Sequence, residues 1–421
     1  MTTHCSEYGL LTRRSFLSGG MANIAGLAFG RNLVNMPTWM PDIALADAQQ
    51  GQRGDTLVCI FLRGGSDGLN MVVPFGDNDY YEARPNLAIG RPDQASASSQ
   101  AVDLDGFFGL HPMLQPLHNV YSAGDLALIH ATGAPHDSRS HFVAQASMEQ
   151  GMSSDYTGWL SRHLATLDTG NASSLRAVGV GDLLAMSLTG PARATLMPSL
   201  DAYSLSVPAR LNDPVEAVLQ NIYANQQGLL TVAAEQTLAT LDIVASVNGS
   251  SRASYGNNKL GKGLETVAQL IKAQVGVEVA CVDFGGWDTH AQQGAGEGQM
   301  AGLMATLSAE LMTFYDDLQE QMSNVTVVVM SEFGRRVGEN GSGGTDHGQG
   351  NAMFLMGGGV NGGQVFANWP GLATSQLDDG DLAITTDYRD ILGELLQKRL
   401  NDPLVNSVFP SHNLTSHGIF V

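Results

Sequence analysis

Five short apolar runs, each meeting a cluster of polar and glycine residues at one end, constrain this chain more than any other feature. Residues 57–62 run into Arg63-Gly64-Gly65-Ser66-Asp67-Gly68, and residues 126–130 into a segment that ends Ser138-Arg139-Ser140-His141. Residues 277–282 run into Asp283-Phe284-Gly285-Gly286-Trp287-Asp288-Thr289-His290, and residues 325–330 into Ser331-Glu332-Phe333-Gly334-Arg335-Arg336. The fifth run, residues 352–356, is preceded by its cluster, Gly344-Thr345-Asp346-His347-Gly348. Continuous apolar runs of this length suit strands covered on both faces. Between the third and fourth runs, Met300, Leu303, Met304, Leu307, Leu311, Phe314 and Leu318 recur at helical spacing. Strand, helix, strand is a parallel crossover unit, so an α/β fold with a mostly parallel central sheet is predicted. Further helices are expected over residues 260–275 and 387–400, the latter with Thr386 as its N-cap.

In open parallel sheets, sites form in the crevice outside the carboxyl ends of the strands. That rule gathers Asp67, Ser138, Ser140, His141, Asp283, Asp288, His290, Glu332, Asp346 and His347 at one rim. Carboxylates mixed with imidazoles, without a thiolate, suit a catalytic divalent ion or pair of ions: Zn, Mn, Mg or Ca. Taken singly, each residue has a plainer role open to it, such as Ser138 or Ser140 capping the helix that follows. Arg63, Arg139, Arg335 and Arg336 share these segments; they either bind an anion bidentately or pair with neighbouring carboxylates. The glycine run 357–363 lacks the spacing and the lysine of a nucleotide-binding loop, and reads as tight turns.

The 421 residues carry 21 basic and 41 acidic side chains, a net charge of −20. That balance argues against nucleic acid as a partner, and against anionic membrane surfaces. Thr12-Arg13-Arg14-Ser15-Phe16-Leu17, a mildly apolar stretch to Phe29 and Ala44-Leu45-Ala46 together have the layout of a twin-arginine export signal over residues 1–46. Export through the twin-arginine translocation machinery to the periplasm or beyond is therefore expected, without stable membrane insertion. Cys59 and Cys281 lie inside apolar runs and are expected as buried free thiols in preference to a disulfide, which an exported protein's compartment would permit. Residues 47–421 read as one α/β domain. Within it, about 171–254 has few motif-like polar groups and is expected to be a helical, cap-like insertion.

The segments FLRGGSDGLNMVVP, SRSHFVAQ, DFGGWDTH, SEFGRRVGENGSGGTDHGQGNAMFLMGGGV and DLAITTDYRDILGELL resemble the family catalogued as domain of unknown function 1501. That family is grouped with the alkaline phosphatase superfamily, which includes sulfatases. The resemblance implies an alkaline-phosphatase-like three-layer fold. It implies that Asp67 starts the metal site, that Asp288 and His290 form a ligand pair, and that Glu332, Asp346 and His347 complete the ligand set. It implies Ser140 as nucleophile, with Ser138 as substitute, and Arg139 or Arg335 on the non-bridging oxygens of a small anionic substrate. The expected activity is metal-dependent hydrolysis of a phosphate or sulfate ester. The sequence departs from the superfamily pattern at Phe333, where a histidine is expected, which removes a ligand from one of two metal positions. The competing expectation is a non-catalytic exported binding or matrix protein with a degenerate metal site.

Overall fold

The computed structural model describes residues 55–94, 99–136, 138–205, 207, 212–224, 229–247 and 253–421. The twin-arginine segment and its cleavage site lie outside the described residues. Tyr203–Ser246 form a compact unit apart from the other described residues.

The larger unit is built on a nine-stranded sheet. Its members are β1 (Thr56–Arg63), β5 (Leu126–Gly133), β6 (Ala177–Val180), β7 (Thr195–Met197), β8 (Val279–Gly285), β9 (Val325–Ser331), β10 (Asn351–Gly357), β11 (Gln364–Phe366) and β12 (Thr386–Asp387). The short strands β2 (Val72–Val73), β3 (Val102–Asp103) and β4 (Gly109–Leu110) make a separate antiparallel sheet. The large sheet runs β11-β5-β10-β9-β1-β8-β6-β7, with β12 on β5. β1 lies between β8 and β9 and pairs parallel with both. β10 is antiparallel to β9 and to β5, so β10 alone in this sheet is reversed.

Alternation along β1 explains why both faces are covered. Leu57, Cys59 and Phe61 enter a cluster with Trp159, Tyr388, Ile391 and Leu395, contributed by helices α2 (Trp159–Thr166) and α7 (Tyr388–Lys398). Ile60 and its register partner Val282 face the other way. There a Cβ on Gly263 of α5 (Lys259–Lys272) would come within 2.6 Å of Val282. Helices thus flank the sheet on both sides, giving three layers. The long helix α6 (Gln299–Leu318) buries Met300, Met304, Leu307, Leu311, Phe314 and Leu318, its expected apolar stripe, while Leu303 is only partly covered.

Two local expectations differ from the structure. The cap of α7 is Asp387, whose carboxylate accepts from the Arg389 N–H; Thr386 lies one residue too early. Residues 171–202, expected inside the helical insertion, supply β6 and β7 to the sheet edge. The separate helical unit starts near Tyr203 and carries α3 (Asn212–Ala224) and α4 (Leu229–Ser246). Cys59 and Cys281 are free and buried, and they are direct register partners on adjacent strands. Among the described residues, no helix is long and apolar enough to cross a membrane.

Candidate metal centre

The reversal of β10 decides which residues meet. The strands parallel to β1 end at one rim, and β10 begins at that same rim. Residues after β1, β5, β8 and β9 therefore converge with residues before β10, namely Thr345 to Gly350.

Asp288 is the hub. His290 Nε2 and His347 Nε2 each stand 3.0 Å from Asp288 Oδ1 and 2.9 Å from each other. His141 Nε2 is 3.4 Å from Asp288 Oδ2. Ligand atoms of His141, Asp288 and His347 all lie within 4.8 Å of one another.

Each imidazole is tethered through its other nitrogen. His141 Nδ1 donates to Glu332 Oε1 at 2.9 Å, His290 Nδ1 to Asp346 Oδ1 at 2.9 Å and His347 Nδ1 to the Arg139 carbonyl at 2.7 Å. A carboxylate or carbonyl cannot donate, so each Nδ1 carries a proton, and each Nε2 faces Asp288 either as a second N–H donor or, with that proton lost, as a lone pair for an ion. This is the second-layer arrangement that orients metal-ligating histidines. Three imidazole nitrogens and a carboxylate are donors that fit a divalent ion.

The electrostatics agree. Burial acts to raise the Asp288 pKa, but hydrogen bonds with His141, His290 and His347, and the nearby Arg335 charge, hold it far below the ordinary carboxylate range. Burial acts to lower the His141 pKa, and hydrogen bonds to Asp288 and Glu332 overcome it, raising it to about 9. The Asp288 hydrogen bond leads the causes that raise His290. The cluster is a strong cation trap, filled by protons or by a metal ion.

The expected ligands divide into two sets. Asp288, His290 and His347 come together, and His141 joins them. Asp67 does not. It is fully buried, with Oδ2 paired to Arg84 Nη1 at 2.6 Å and accepting from Gln293 Nε2 at 2.6 Å. A guanidinium already neutralises it, so Asp67 is corrected from ligand to buried ion-pair partner. Glu332 is corrected likewise. Its Oε1 accepts from Gly64 N, His141 Nδ1 and Gln145 Nε2, and its Oε2 from Ser331 Oγ. Asp346 faces His290 and Asn340, which makes it an orienting group too. Asp283 pairs with Arg63 at 2.9 Å.

Arg335 was expected on substrate oxygens; the structure buries it completely. Its donors reach the carbonyls of Gly64, Gly65, Trp287 and Thr345 and the Asp288 carboxylate, and its burial keeps it from a substrate. Its role is to fix the loops that carry Asp288 and His347. Phe333, at the position where a histidine was expected, packs its ring 5.1 Å from His141 and 4.7 Å from His347 between centroids, so it walls the centre with apolar surface.

Ser140 lies in extended conformation directly before α1 (His141–Glu149). Its N–H donates to Ser138 Oγ at 3.2 Å, whereas its own hydroxyl has no hydrogen-bond partner among the described residues. Arg139 is half-exposed and pairs with Asp381 at 2.7 Å. Sequence reasoning placed His141 at the rim without giving it a ligand's role, and missed Gln145 one turn further along α1. The spacing of four that puts both side chains on Glu332 was the available signal. Arg84 and Gln293, which hold Asp67, carried no local signal.

Solved structures resemble the chain only loosely. A protein described as i-CgsB, in complex with a neocarrahexaose, is 9% identical, with 75% of this chain and 68% of that chain covered and a TM-score of 0.35. A protein from Pyrococcus horikoshii is 12% identical over 86% of this chain and 99% of that one, at 0.32. A putative sulfatase from Bacteroides thetaiotaomicron is 10% identical over 87% and 76%, at 0.31. Likenesses this loose carry no argument about chemistry. No curated protein sequence matches the chain. The pattern of one family matches residues 55–403, most of the chain, and the protein therefore belongs to the family described as "Protein of unknown function (DUF1501)".

Proposed function

We propose that the protein is an exported, metal-dependent hydrolase of a phosphate or sulfate ester, with Ser140 as nucleophile. One observation carries the reading: three imidazoles, each tethered at Nδ1, aim Nε2 at the same carboxylate. His141, Asp288, His290 and His347 would hold the ion. A bound divalent cation would supply Lewis-acid polarisation and charge neutralisation.

The chain's own residues do the rest. Ser140 sits at the N-terminus of α1, where the helix dipole favours an alkoxide. Attack by Ser140 Oγ forms its bond to phosphorus or sulfur as the ester oxygen departs with the proton the serine gives up, and water then releases the anion and returns a proton to the serine. The Arg139 guanidinium, between the two serines and half-exposed, offers N–H donors to the anion. The choice of ester follows from the resemblance of the motifs to the alkaline phosphatase superfamily.

A second reading rests on the ligand count. Four protein donors fill a tetrahedral shell, the pattern of closed centres, whereas catalytic ions keep an open position. It casts the protein as a metal-holding binding or matrix protein. Elemental analysis of the purified chain, with a phosphatase and sulfatase panel on wild type and Ser140→Ala, separates the two. The hydrolase reading expects about one divalent ion per chain, and hydrolysis that falls by several orders of magnitude in Ser140→Ala. Bound metal without hydrolysis supports the second reading; hydrolysis that survives Ser140→Ala removes the nucleophile.

A further inference from the structure

Four arginines follow the strand ends, and the structure splits them into two kinds. Arg63 is held by Glu149 at 2.7 Å and Asp283 at 2.9 Å, and Arg335 is enclosed by carbonyls and Asp288. Arg139 and Arg336 differ, each with 35% of its side chain exposed. Both border the candidate centre through the backbone. The Arg139 carbonyl accepts from His347 Nδ1, and the Arg336 N–H donates to the Asp346 carbonyl.

Both guanidiniums converge on one hairpin tip. Asp378 and Asp381 pair as an antiparallel bridge around Asp379-Gly380, whose φ angles are +50° and +86°. Two positive φ angles across a two-residue loop mark the tight hairpin turn for which Asp-Gly is a strong signal. Asp381, fully buried, anchors Arg139 at 2.7 Å, with Arg336 Nε at 3.6 Å. Asp379 is a different kind of partner. Its side chain is 80% exposed, and its Oδ2 stands 3.2 Å from Arg139 Nη2 and 3.5 Å from Arg336 Nη2. One oxygen of a monovalent carboxylate thus bridges two guanidiniums that could grip two oxygens of a tetrahedral anion. Exposed pairs at such distances are weak and easily displaced.

We propose that Arg139 and Arg336 form a binding subsite for a tetrahedral oxyanion, phosphate or sulfate, and that Asp379 occupies it as a displaceable internal competitor. The subsite deepens the hydrolase reading by giving the substrate a place for an anionic group beside Ser140, and its location relies on that reading. Its occupancy does not. An arriving anion displaces the Asp379 carboxylate into water, while Asp381 keeps both guanidiniums in place.

The test is calorimetric titration of the full chain with inorganic phosphate and, separately, sulfate, at low ionic strength. Asp379→Asn keeps the turn, since Asn-Gly is as well suited to it, and removes the competing charge. It is expected to bind one or both anions roughly three- to tenfold more tightly than wild type. Arg336→Gln placed in that background is expected to abolish the gain. Whichever anion gains more identifies the oxyanion preferred. The gain is expected to persist after chelation, so a chain found to hold no metal would refute the centre and leave the subsite standing. Unchanged affinity in Asp379→Asn, a gain that survives Arg336→Gln, or a gain that vanishes on chelation would each overturn the subsite.

Discussion

At the scale of single residues, the deciding question is what already neutralises each carboxylate. Asp67 and Asp288 both follow a strand and both touch an arginine. Asp67 meets Arg84 in full burial, with no imidazole among the described residues bonded to it, whereas Asp288 has three. Removing one partner of a buried ion pair strands the other charge. Asp67→Asn is therefore expected to lower unfolding stability by about 3 kcal/mol, with metal content unchanged. Denaturant unfolding and elemental analysis on the same preparation check it. Metal loss with intact stability would restore Asp67 as a ligand.

At the scale of elements, the connection from β9 to β10 carries the site. It holds Arg335, Asp346 and His347, and it packs so tightly against the loop after β8 and against itself that side chains are excluded at certain positions. A Cβ on Gly344 would come within 2.5 Å of the His290 carbonyl, and one on Gly348 within 2.5 Å of the Arg335 backbone. Neither contact can be relieved by a side-chain rotation, because the obstacle is main chain. Gly344→Ala is expected to push His290 off Asp288 and weaken metal binding by roughly tenfold or more, read by competition with a chromophoric chelator. Gly302→Ala is the control. It lies inside α6 with nothing within 4 Å of the new Cβ. It should leave metal binding alone and add up to about 1 kcal/mol of stability through helix propensity.

At the scale of the whole molecule, two buried histidines outside the site tie stability to pH. His111 Nε2 donates to the Ala295 carbonyl and its Nδ1 accepts from the Met113 N–H. His130 Nε2 donates to the Val72 carbonyl and its Nδ1 accepts from the Ala131 N–H. Both rings are locked neutral, since a second proton would face a backbone N–H. Burial pushes each pKa down to about 4, against the weaker upward pull of the carbonyl hydrogen bonds. In the unfolded chain these groups protonate near the ordinary histidine value of 6.5. The unfolded state thus binds more protons between the two values, and stability falls as the pH drops through that window. The contribution is fully present above about 6.5 and is lost by about 4, at a cost on the order of 3 kcal/mol per histidine. Denaturant midpoints measured across that range should fall toward acid, and His130→Gln should flatten the slope.

The sequence by itself determined the strands and their order of function. Runs such as 325–330 are apolar without interruption because neighbours cover both faces of the sheet, and that signal is local. The helical stripe of α6 is local as well, since it needs only a period. The rim of polar residues also followed, because a parallel sheet sends each strand's end to the same side. Only the tertiary structure decided which rim residues share a partner. The direction of β10 is set by its pairing with β9 and β5, and that direction brings His347 to Asp288. Arg84 is 17 residues from Asp67 and Gln293 is 226, and neither spacing hints at the contact. A charge is committed by whatever lies within hydrogen-bond reach, and reach across a folded sheet is a property of packing that no stretch of sequence contains.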